Sequence, residues 1–320
     1  MALNRANGMY GELAIISGGG HPALAQEIAA CLQVPLHPVE ITTFSNENIF
    51  VRLKSSLRSR DVFIIQPTAS PVSDNILRLL IMIDAVYRDS AGRITPVMPY
   101  FAYSRSDKKD QPRTPITARL MADMITTAGA DRFFTMDLHA SQIAGFFSIP
   151  GDEMSAFPIL RDYFLTKDLT NAVVVAADEG SSKRARKFAE ALNVPLAIVE
   201  KRRKDVHTQA LTLIGEATGM DAIIFDDEVD TAGTVTNAAA LLKTHEARRI
   251  YLCATHAVFS PPATQRLREA GFEEIVVTNT VPLTPEKVLP NLTVLSVAPF
   301  IAQVISRIHT GQSVGELINE

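Results

Sequence analysis

Two cysteines in 320 residues, Cys31 and Cys253, lie too far apart for a CxxC pair or a zinc-type spacing. Such sparse usage suits a reducing compartment. The chain also lacks GxxxxGK[ST], HExxH and GxSxG. A nucleotide, if bound, is therefore not held in the P-loop manner, and neither zinc-protease nor α/β-hydrolase chemistry has its usual residues. Gly18-Gly19-Gly20 lacks the full GxGxxG spacing and the acidic residue of a nicotinamide site, so it reads as a turn. No charge sign dominates: net charge is -4 and the pI is near 6.0. That excludes a generally basic nucleic-acid surface and leaves local phosphate sites open. Met1–Gly11 has no hydrophobic signal core. The uncharged stretch Val288–Ser306 contains Pro290, Asn291, Thr293, Ser296 and Pro299, which suits a strand, a break and a helix rather than a membrane span. The expectation is a cytoplasmic protein with neither nucleic acid nor membrane as partner.

What is present is ordinary globular composition, 47% apolar and 21% charged. The length is about twice that of a usual domain of roughly 100–200 residues, so two domains are expected. Slid against itself by 160 residues, the sequence matches itself in order. Leu32-Gln33-Val34-Pro35-Leu36 faces Leu192-Asn193-Val194-Pro195-Leu196, and Ala25 and Ala29 face Ala185 and Ala189. Asp61-Val62-Phe63-Ile64-Ile65 faces Asp221-Ala222-Ile223-Ile224-Phe225. In a shifted register, Ala128-Gly129 before Phe133-Phe134-Thr135 matches Ala270-Gly271 before Ile275-Val276-Val277.

Each half alternates short apolar strands with longer periodic helices. The pattern predicts strands at Leu13–Ser17, Leu36–Ile41, Asp61–Gln66, Ile94–Pro99 and Arg132–Met136 in the first half. In the second it predicts Ala172–Ala176, Leu196–Val199, Ala222–Phe225, Arg249–Ala254 and Glu274–Thr278. Helices are predicted at His21–Leu32, Val72–Arg88, Ile116–Thr127, Ser182–Leu192, Thr234–His245 and Ala263–Ala270. Runs such as Val173-Val174-Val175 suit strands buried on both faces of a parallel sheet. The expected fold class is α/β: two tandem duplicated, doubly wound domains with mainly parallel sheets. The expected domains are 1–150 and 151–292, with a strand-helix extension at 293–320 that has no counterpart in the duplication and packs on the first domain.

Ligands of such sheets sit beyond the carboxyl ends of the strands, so the loops there carry the chemistry. Asp226-Asp227-Glu228-Val229-Asp230-Thr231-Ala232-Gly233-Thr234 follows a predicted strand and opens a helix. A small, hydroxyl-rich turn at a helix start exposes backbone N–H groups toward an anion, most often phosphate. The carboxylates would repel that anion unless they bind sugar hydroxyls or a divalent cation. Sugar, phosphate and Mg²⁺ together satisfy the segment; the plainer alternative is an acidic turn with Thr234 as N-cap. Lys201-Arg202-Arg203-Lys204 is either a solvated basic loop or a clamp on phosphates, and its place on the same sheet edge favours the clamp. His139, after a strand, suits a structural role as well as a chemical one. Asp178 before Ser182 suits a helix cap equally. Arg105-Ser106-Asp107 by itself is a solvated charged loop, and Phe44 is core unless something stacks on it.

Several stretches together resemble the ribose-phosphate pyrophosphokinase family over nearly the whole chain. They are Phe44-Ser45-Asn46, Arg60 to Gln66, Pro99 to Asp107, Pro115 to Ala118, Ala128 to Arg132, Thr135 to Ala140, Gln142 to Phe147, Lys201 to Arg203 and Asp226 to Thr234. The resemblance implies a phosphoribosyltransferase-like fold and Mg²⁺-dependent transfer of the diphosphoryl group of ATP to the anomeric hydroxyl of ribose 5-phosphate. It implies that Asp226 and Asp227 hold ribose hydroxyls and Mg²⁺, while Asp230, Thr231, Ala232, Gly233 and Thr234 cradle the 5-phosphate. It implies that Lys201 and Arg203, on a mobile loop, close over the transferred group. His139 and Asp178 are then implied to contact the metal–triphosphate unit, His139 also counting among the catalytic residues. Phe44 and Arg105 are implied to sandwich adenine, with Asn46, Asn48, Ser106 and Asp107 nearby. An adenine site shared across a subunit interface implies self-association, as a homohexamer built from dimers.

The alternatives are a non-catalytic homologue that assembles with active subunits, and a phosphoribosyltransferase. Intact Lys201, Arg203, His139, Asp178 and the Asp226–Thr234 loop argue against the first, and the full-length duplication with the His139 region against the second. Some positions depart from the family pattern: Asn46-Glu47-Asn48 for Asp-Gly-Glu, Ser106 for Gln, and Gly180-Ser181 for Gly-Gly. Ser313-Val314-Gly315 carries one hydroxyl where members regulated by phosphate and ADP carry two. Weakened or altered control by phosphate and ADP is expected. Initial rates measured across phosphate and ADP concentrations should therefore change little, and strong phosphate dependence with ADP inhibition would overturn this.

Overall fold

A computed structural model describes residues 10–205 and 208–318, without the side chains of 201–210 and 318. The chain forms two units: Met1–Ser155 with Thr280–Pro282 and Val297–Glu320, and Ala156–Asn279 with Leu283–Ser296.

The first unit contains β1 (Leu13–Ser17), α1 (Pro22–Leu32), β2 (Leu36–His37), β3 (Val39–Thr43), β4 (Ile49–Leu53), β5 (Asp61–Ile65) and α2 (Val72–Arg88). It continues through β6 (Arg93–Met98), α3 (Thr117–Thr127), β7 (Phe133–Met136) and β8 (Gly151–Met154). Its main sheet has the order β2-β1-β5-β6-β7-β8, and every described pairing in it is parallel. Every residue of β5, β6 and β7 is buried, as strands covered on both faces require. Leu79, Met82, Ile83 and Val86 of α2 and Ala118, Ala122 and Ile125 of α3 share one apolar cluster with Ile16, Val62, Ile64 and Ile94.

The second unit contains α4 (Phe157–Leu165), β9 (Ala172–Ala176), α5 (Ser182–Leu192), β10 (Leu196–Asp205), β11 (Thr208–Ile214), β12 (Asp221–Val229) and α6 (Gly233–Thr244). After these come β13 (Arg249–Ala257), α7 (Ala263–Ala270), β14 (Glu274–Thr278) and β15 (Leu292–Leu295); the chain then returns to the first unit as α8 (Ala298–Thr310). The sheet order is β11-β10-β9-β12-β13-β14-β15, parallel except for β11. Apart from β11, this is the order of the first sheet strand for strand, so the duplication read from the sequence is a duplication of topology.

The repeated Leu-x-Val-Pro-Leu motif has a local cause. Gln33 (φ 56°) and Asn193 (φ 54°) both end their helices in the left-handed conformation. The N–H of Val34 then donates back to the carbonyl of Ala29 at 3.1 Å, and that of Val194 to Ala189 at 3.0 Å. Proline follows, prevents further helix, and delivers the chain into β2 or β10.

Four expectations are corrected. Leu36–Ile41 is not one strand: Pro38, without an N–H, separates β2 from β3, which forms an antiparallel hairpin with β4. The stretch around Lys201–Lys204 is not a loop, because β10 runs on to Asp205 and pairs antiparallel with β11. β12 likewise continues through Asp226-Asp227-Glu228, since β13 extends beside it and pairs Glu228 with His256. The strand of the C-terminal extension does have a counterpart: β15 occupies in its sheet the edge place that β8 occupies in the other. The helix after it, α8, packs against α1.

Asp61 and Asp221, which face one another in the self-comparison, make equivalent ion pairs. Arg93 Nε and Nη2 donate to Asp61 at 2.8 and 2.6 Å, and Arg249 Nε and Nη2 donate to Asp221 at 3.1 and 2.5 Å. Arg248 adds a second fork to Asp221 at 2.8 and 2.6 Å. In the first unit, α8 adds His309, whose Nδ1 lies 2.8 Å from Asp61 Oδ2, and the Ile308 carbonyl, which accepts from Arg93 Nη2 at 3.1 Å. Burial alone would raise the Asp221 carboxyl, but hydrogen bonds and charge from Arg248 and Arg249 outweigh it and hold the group at about 2, below its ordinary 3.8. A carboxyl depressed in the folded state stabilises it above the unfolded value, and that contribution disappears as pH falls through the folded one. Asp221→Asn should lower the melting temperature at neutral pH and flatten the acid loss of stability between about pH 4 and 2. Thermal melts of both proteins across that range test this, and parallel curves would refute it.

Candidate functional site

Asp226 and Asp227 stand past the last pairing between β12 and β9, Phe225 with Ala176. They therefore lie beyond the carboxyl end of β9, on the part of β12 that pairs with β13 alone. The N–H of Asp227 donates to Asp226 Oδ1 at 2.9 Å, and the buried Asp227 carboxylate meets Arg184 Nη2 of α5 at 3.0 Å. Burial, then hydrogen bonding and charge from Asp227, and the charge of Asp178, push the Asp226 carboxyl well above its ordinary range. Asp178, Asp226 and Asp227 are thus brought together electrostatically. Negative charge is in excess there, and an arriving cation would relieve it.

Asp178 also shapes the loop after β9. Its Oδ1 accepts from the N–H of Ser181 at 3.0 Å, and its carbonyl accepts from Ser181 Oγ at 3.1 Å. The capping and chemical readings of Asp178 are therefore compatible.

After β12 the chain turns through Asp230 and Thr231 into α6. Ala232, in the left-handed region at φ 62°, is its N-cap; no side chain caps the helix there. Thr234, the residue suggested as a cap, lies inside the first turn. The first N–H groups of α6 consequently have no capping side chain as acceptor, the arrangement that favours an anion. Arg266 of α7 holds the turn from behind, its Nη1 donating to the Thr231 carbonyl at 3.0 Å. A Cβ on Gly233 would lie 3.3 Å from that guanidinium, so Gly233 permits the close approach. Lys287, whose Nζ donates to the Val258 carbonyl at 2.7 Å, is pushed down by burial while the charge of Asp230 opposes that shift. The sequence reading missed Arg184, Arg266 and Lys287, because each lies in a helix or loop remote in sequence from the segment it touches. The side chains of Lys201 and Arg203 lie outside the described residues.

The remaining predicted residues belong to the first unit. Phe44 is not core: it is 51% exposed at the tip of the β3–β4 hairpin, its ring tilted toward Phe50 at 5.9 Å. The tip is ordered by Phe44 N–H to the Asn48 carbonyl at 2.9 Å and Asn48 N–H to Asn46 Oδ1 at 3.2 Å. Arg105 is exposed, whereas Asp107 is buried and accepts from Gln142 Nε2 at 2.8 Å. Ser106 Oγ accepts from the N–H of Thr117 at 3.3 Å and its carbonyl from Ala118 at 3.2 Å, which ties the segment to the start of α3. His139 is exposed in the loop after β7, where Leu138 N–H donates to Glu153 Oε1 at 3.2 Å. Among the described residues, no three His, Cys, Asp or Glu side chains form a cluster suited to holding a metal ion by themselves.

Residues 13–129 match the model of the N-terminal domain of ribose phosphate pyrophosphokinase, and 205–319 that of the phosphoribosyl synthetase-associated domain. Ribose-phosphate pyrophosphokinase of Caldanaerobacter subterraneus is 50% identical over 96% of this chain and 98% of its own length. The chain belongs to the ribose-phosphate pyrophosphokinase family. The Clostridium perfringens member is 47% identical over 97% of this chain and 98% of its own. The crystal structure of phosphoribosylpyrophosphate synthetase from Mycobacterium smegmatis superposes with a TM-score of 0.88 at 42% identity, covering 92% of this chain and 98% of that one. A ribose-phosphate pyrophosphokinase fold accounts for the two α/β units, and membership makes the chain an enzyme.

Exposure separates residues that shape the fold from those free to meet a ligand. Phe44→Ala should change stability by less than about 0.5 kcal/mol, because half the ring already faces solvent. Ser106→Ala should cost about 1 kcal/mol through the lost acceptor at the α3 start. Urea unfolding of both variants tests the contrast, and equal losses would contradict it.

Proposed function

We propose that the chain transfers the diphosphoryl group of ATP to the anomeric hydroxyl of ribose 5-phosphate, giving 5-phosphoribosyl 1-diphosphate and AMP. The single observation that carries this reading is the crowded carboxylate pair Asp226-Asp227 leading directly into the uncapped N-terminus of α6. Acidic groups beside an anion cradle suit a phosphorylated sugar with a divalent cation, and a ribose-phosphate pyrophosphokinase is 50% identical over 96% of this chain.

Asp226 and Asp227 hold ribose hydroxyls, and Asp230 with the Thr231–Thr234 turn receives the 5-phosphate through backbone N–H groups. Lys201 and Arg203 neutralise charge on the transferred group, an electrostatic role that phosphoryl-type transfer requires. Phe44 and Arg105 stack on adenine. Asn46 and Asn48 flank Phe44, while Ser106 and Asp107 fix the Arg105 segment, their oxygens being engaged by Thr117 and Gln142.

Mg²⁺ fits this donor set: it prefers oxygen ligands and usually takes one or two carboxylates plus substrate phosphates. Asp178 together with Asp226 and Asp227 supplies carboxylates, and His139 contacts the metal–triphosphate unit. When bound, the ion neutralises phosphate charge as it develops in transfer.

A stacking residue half exposed at a hairpin tip suits an adenine site completed by a second copy of the chain, hence a homo-oligomer; the hexamer built from dimers rests on the family resemblance. A cytoplasmic location accords with the free thiols of Cys31 and Cys253. No helix among the described residues is long and apolar enough to cross a membrane.

Purified protein with ATP and Mg²⁺ should release AMP only when ribose 5-phosphate is added. Absence of AMP across nucleotide donors would point to a non-catalytic partner subunit, and nucleobase-dependent diphosphate release to a phosphoribosyltransferase. Lys201→Ala should lower kcat on the order of 100- to 1,000-fold while changing the KM for ribose 5-phosphate little. Comparable losses in both would remove Lys201 from that role.

A further inference from the structure

Arg184 lies in the first turn of α5, and none of the motifs discussed above includes it. Its Nη2 is 3.0 Å from Asp227 Oδ2; the carboxylate side chain is 6% exposed and the guanidinium side chain 32%. Asp227 lies past the end of β9, so no strand backbone pairs with it on that side. A buried carboxylate without a counter-charge or hydrogen-bond donors is costly, and its orientation follows the donor it finds. Arg184 supplies a donor whose own position is set: α5 is anchored at its start by the Asp178–Ser181 hydrogen bonds. The first turn of α5 thereby links the loop after β9, with Asp178, to the end portion of β12, with Asp227.

We propose that Arg184 is a positioning residue for ribose 5-phosphate, holding the Asp227 carboxylate in the orientation that accepts a ribose hydroxyl without itself touching substrate. A carboxylate accepts about four hydrogen bonds, so a contact with Arg184 does not by itself exclude a ribose hydroxyl. The proposal rests on the reading that Asp226 and Asp227 bind ribose, and its test separates the two.

The experiment measures steady-state AMP formation by the full chain for Asp227→Asn, Arg184→Met, Arg184→Lys and the Asp227→Asn/Arg184→Met double variant, with thermal melts of each. Arg184→Met should raise the KM for ribose 5-phosphate about tenfold, with kcat and the KM for ATP within about twofold of the parent. Arg184→Lys, which keeps the charge but loses the planar fork, should recover part of that loss. In the Asp227→Asn background, Arg184→Met should add less than about twofold, because its partner is already altered.

A full Arg184→Met effect on top of Asp227→Asn, or a raised KM for ATP, would mean that Arg184 contacts a ligand directly and would overturn the proposal. A lower melting temperature with unchanged KM would reduce the pair to a structural one, with the same consequence. If Asp227→Asn itself leaves the KM for ribose 5-phosphate unchanged, the ribose reading fails and takes the proposal with it. Should Arg184→Met not fold, Arg184→Lys is compared in both backgrounds by the same criterion of non-additivity.

Discussion

In each sheet an inner strand begins with a buried aspartate, Asp61 or Asp221, that faces an arginine at the first position of the next strand. Removing one partner of such a pair leaves a charge stranded in a poorly solvated place, so strand register is tied to the pair. A slip of one residue would break the bidentate contact and turn every apolar side chain of β5 or β12 to the wrong face. With the amino end held, the residues that emerge at the carboxyl end are determined too: Gln66 after β5, Asp226 and Asp227 at the end of β12. The two copies complete the pair differently. Arg248 adds a second cation to Asp221, whereas α8 brings His309 and the Ile308 carbonyl to Asp61 and Arg93. A helix at the far end of the chain is in this way built into the first unit.

The carboxyl ends show how the copies diverged. At the 160-residue offset Gln66 faces Asp226, and Gly18-Gly19-Gly20 faces Asp178-Glu179-Gly180. In the first unit the amide of Gln66 fills the space, its Oε1 accepting from Gly20 N–H at 2.7 Å and its Nε2 donating to Asn75. A Cβ at Gly18 or Gly20 would come within 2.4 or 2.9 Å of that side chain, which accounts for the glycines as packing rather than ligand contacts. The second unit instead puts Asp226 under the charge of Asp227 and Asp178, which together with burial raises its carboxyl well above the ordinary range. Local satisfaction in one copy and local conflict in the other mark the second as the place where chemistry is expected.

Much of this is legible in the amino-acid sequence. Buried parallel strands read as continuous Val and Ile runs, and helices such as Val72–Arg88, Ser182–Leu192 and Ala263–Ala270 begin and end where periodicity indicates. Less legible were elements whose existence depends on a partner. β8 (Gly-Asp-Glu-Met) has no strand composition and forms because β7 offers an edge. The β3–β4 hairpin carries polar residues on its open face, and β10 continues through Lys201–Lys204 because β11 pairs with it. For such segments propensity yields to pairing.

The amino-acid order alone determined the α/β class and the acidic-to-small-residue segment Asp226–Thr234, because each depends on spacings within a few residues, and the internal duplication, because it is a match of the sequence with itself. Tertiary structure decided what those residues face. Asp227 of β12 is paired with Arg184 from α5, the 231–233 turn is braced by Arg266 from α7, and Ser106 Oγ accepts from the first N–H of α3. These partners lie 11 to 43 residues apart in sequence, and only the packing of helices onto a sheet in fixed register brings them within hydrogen-bond range.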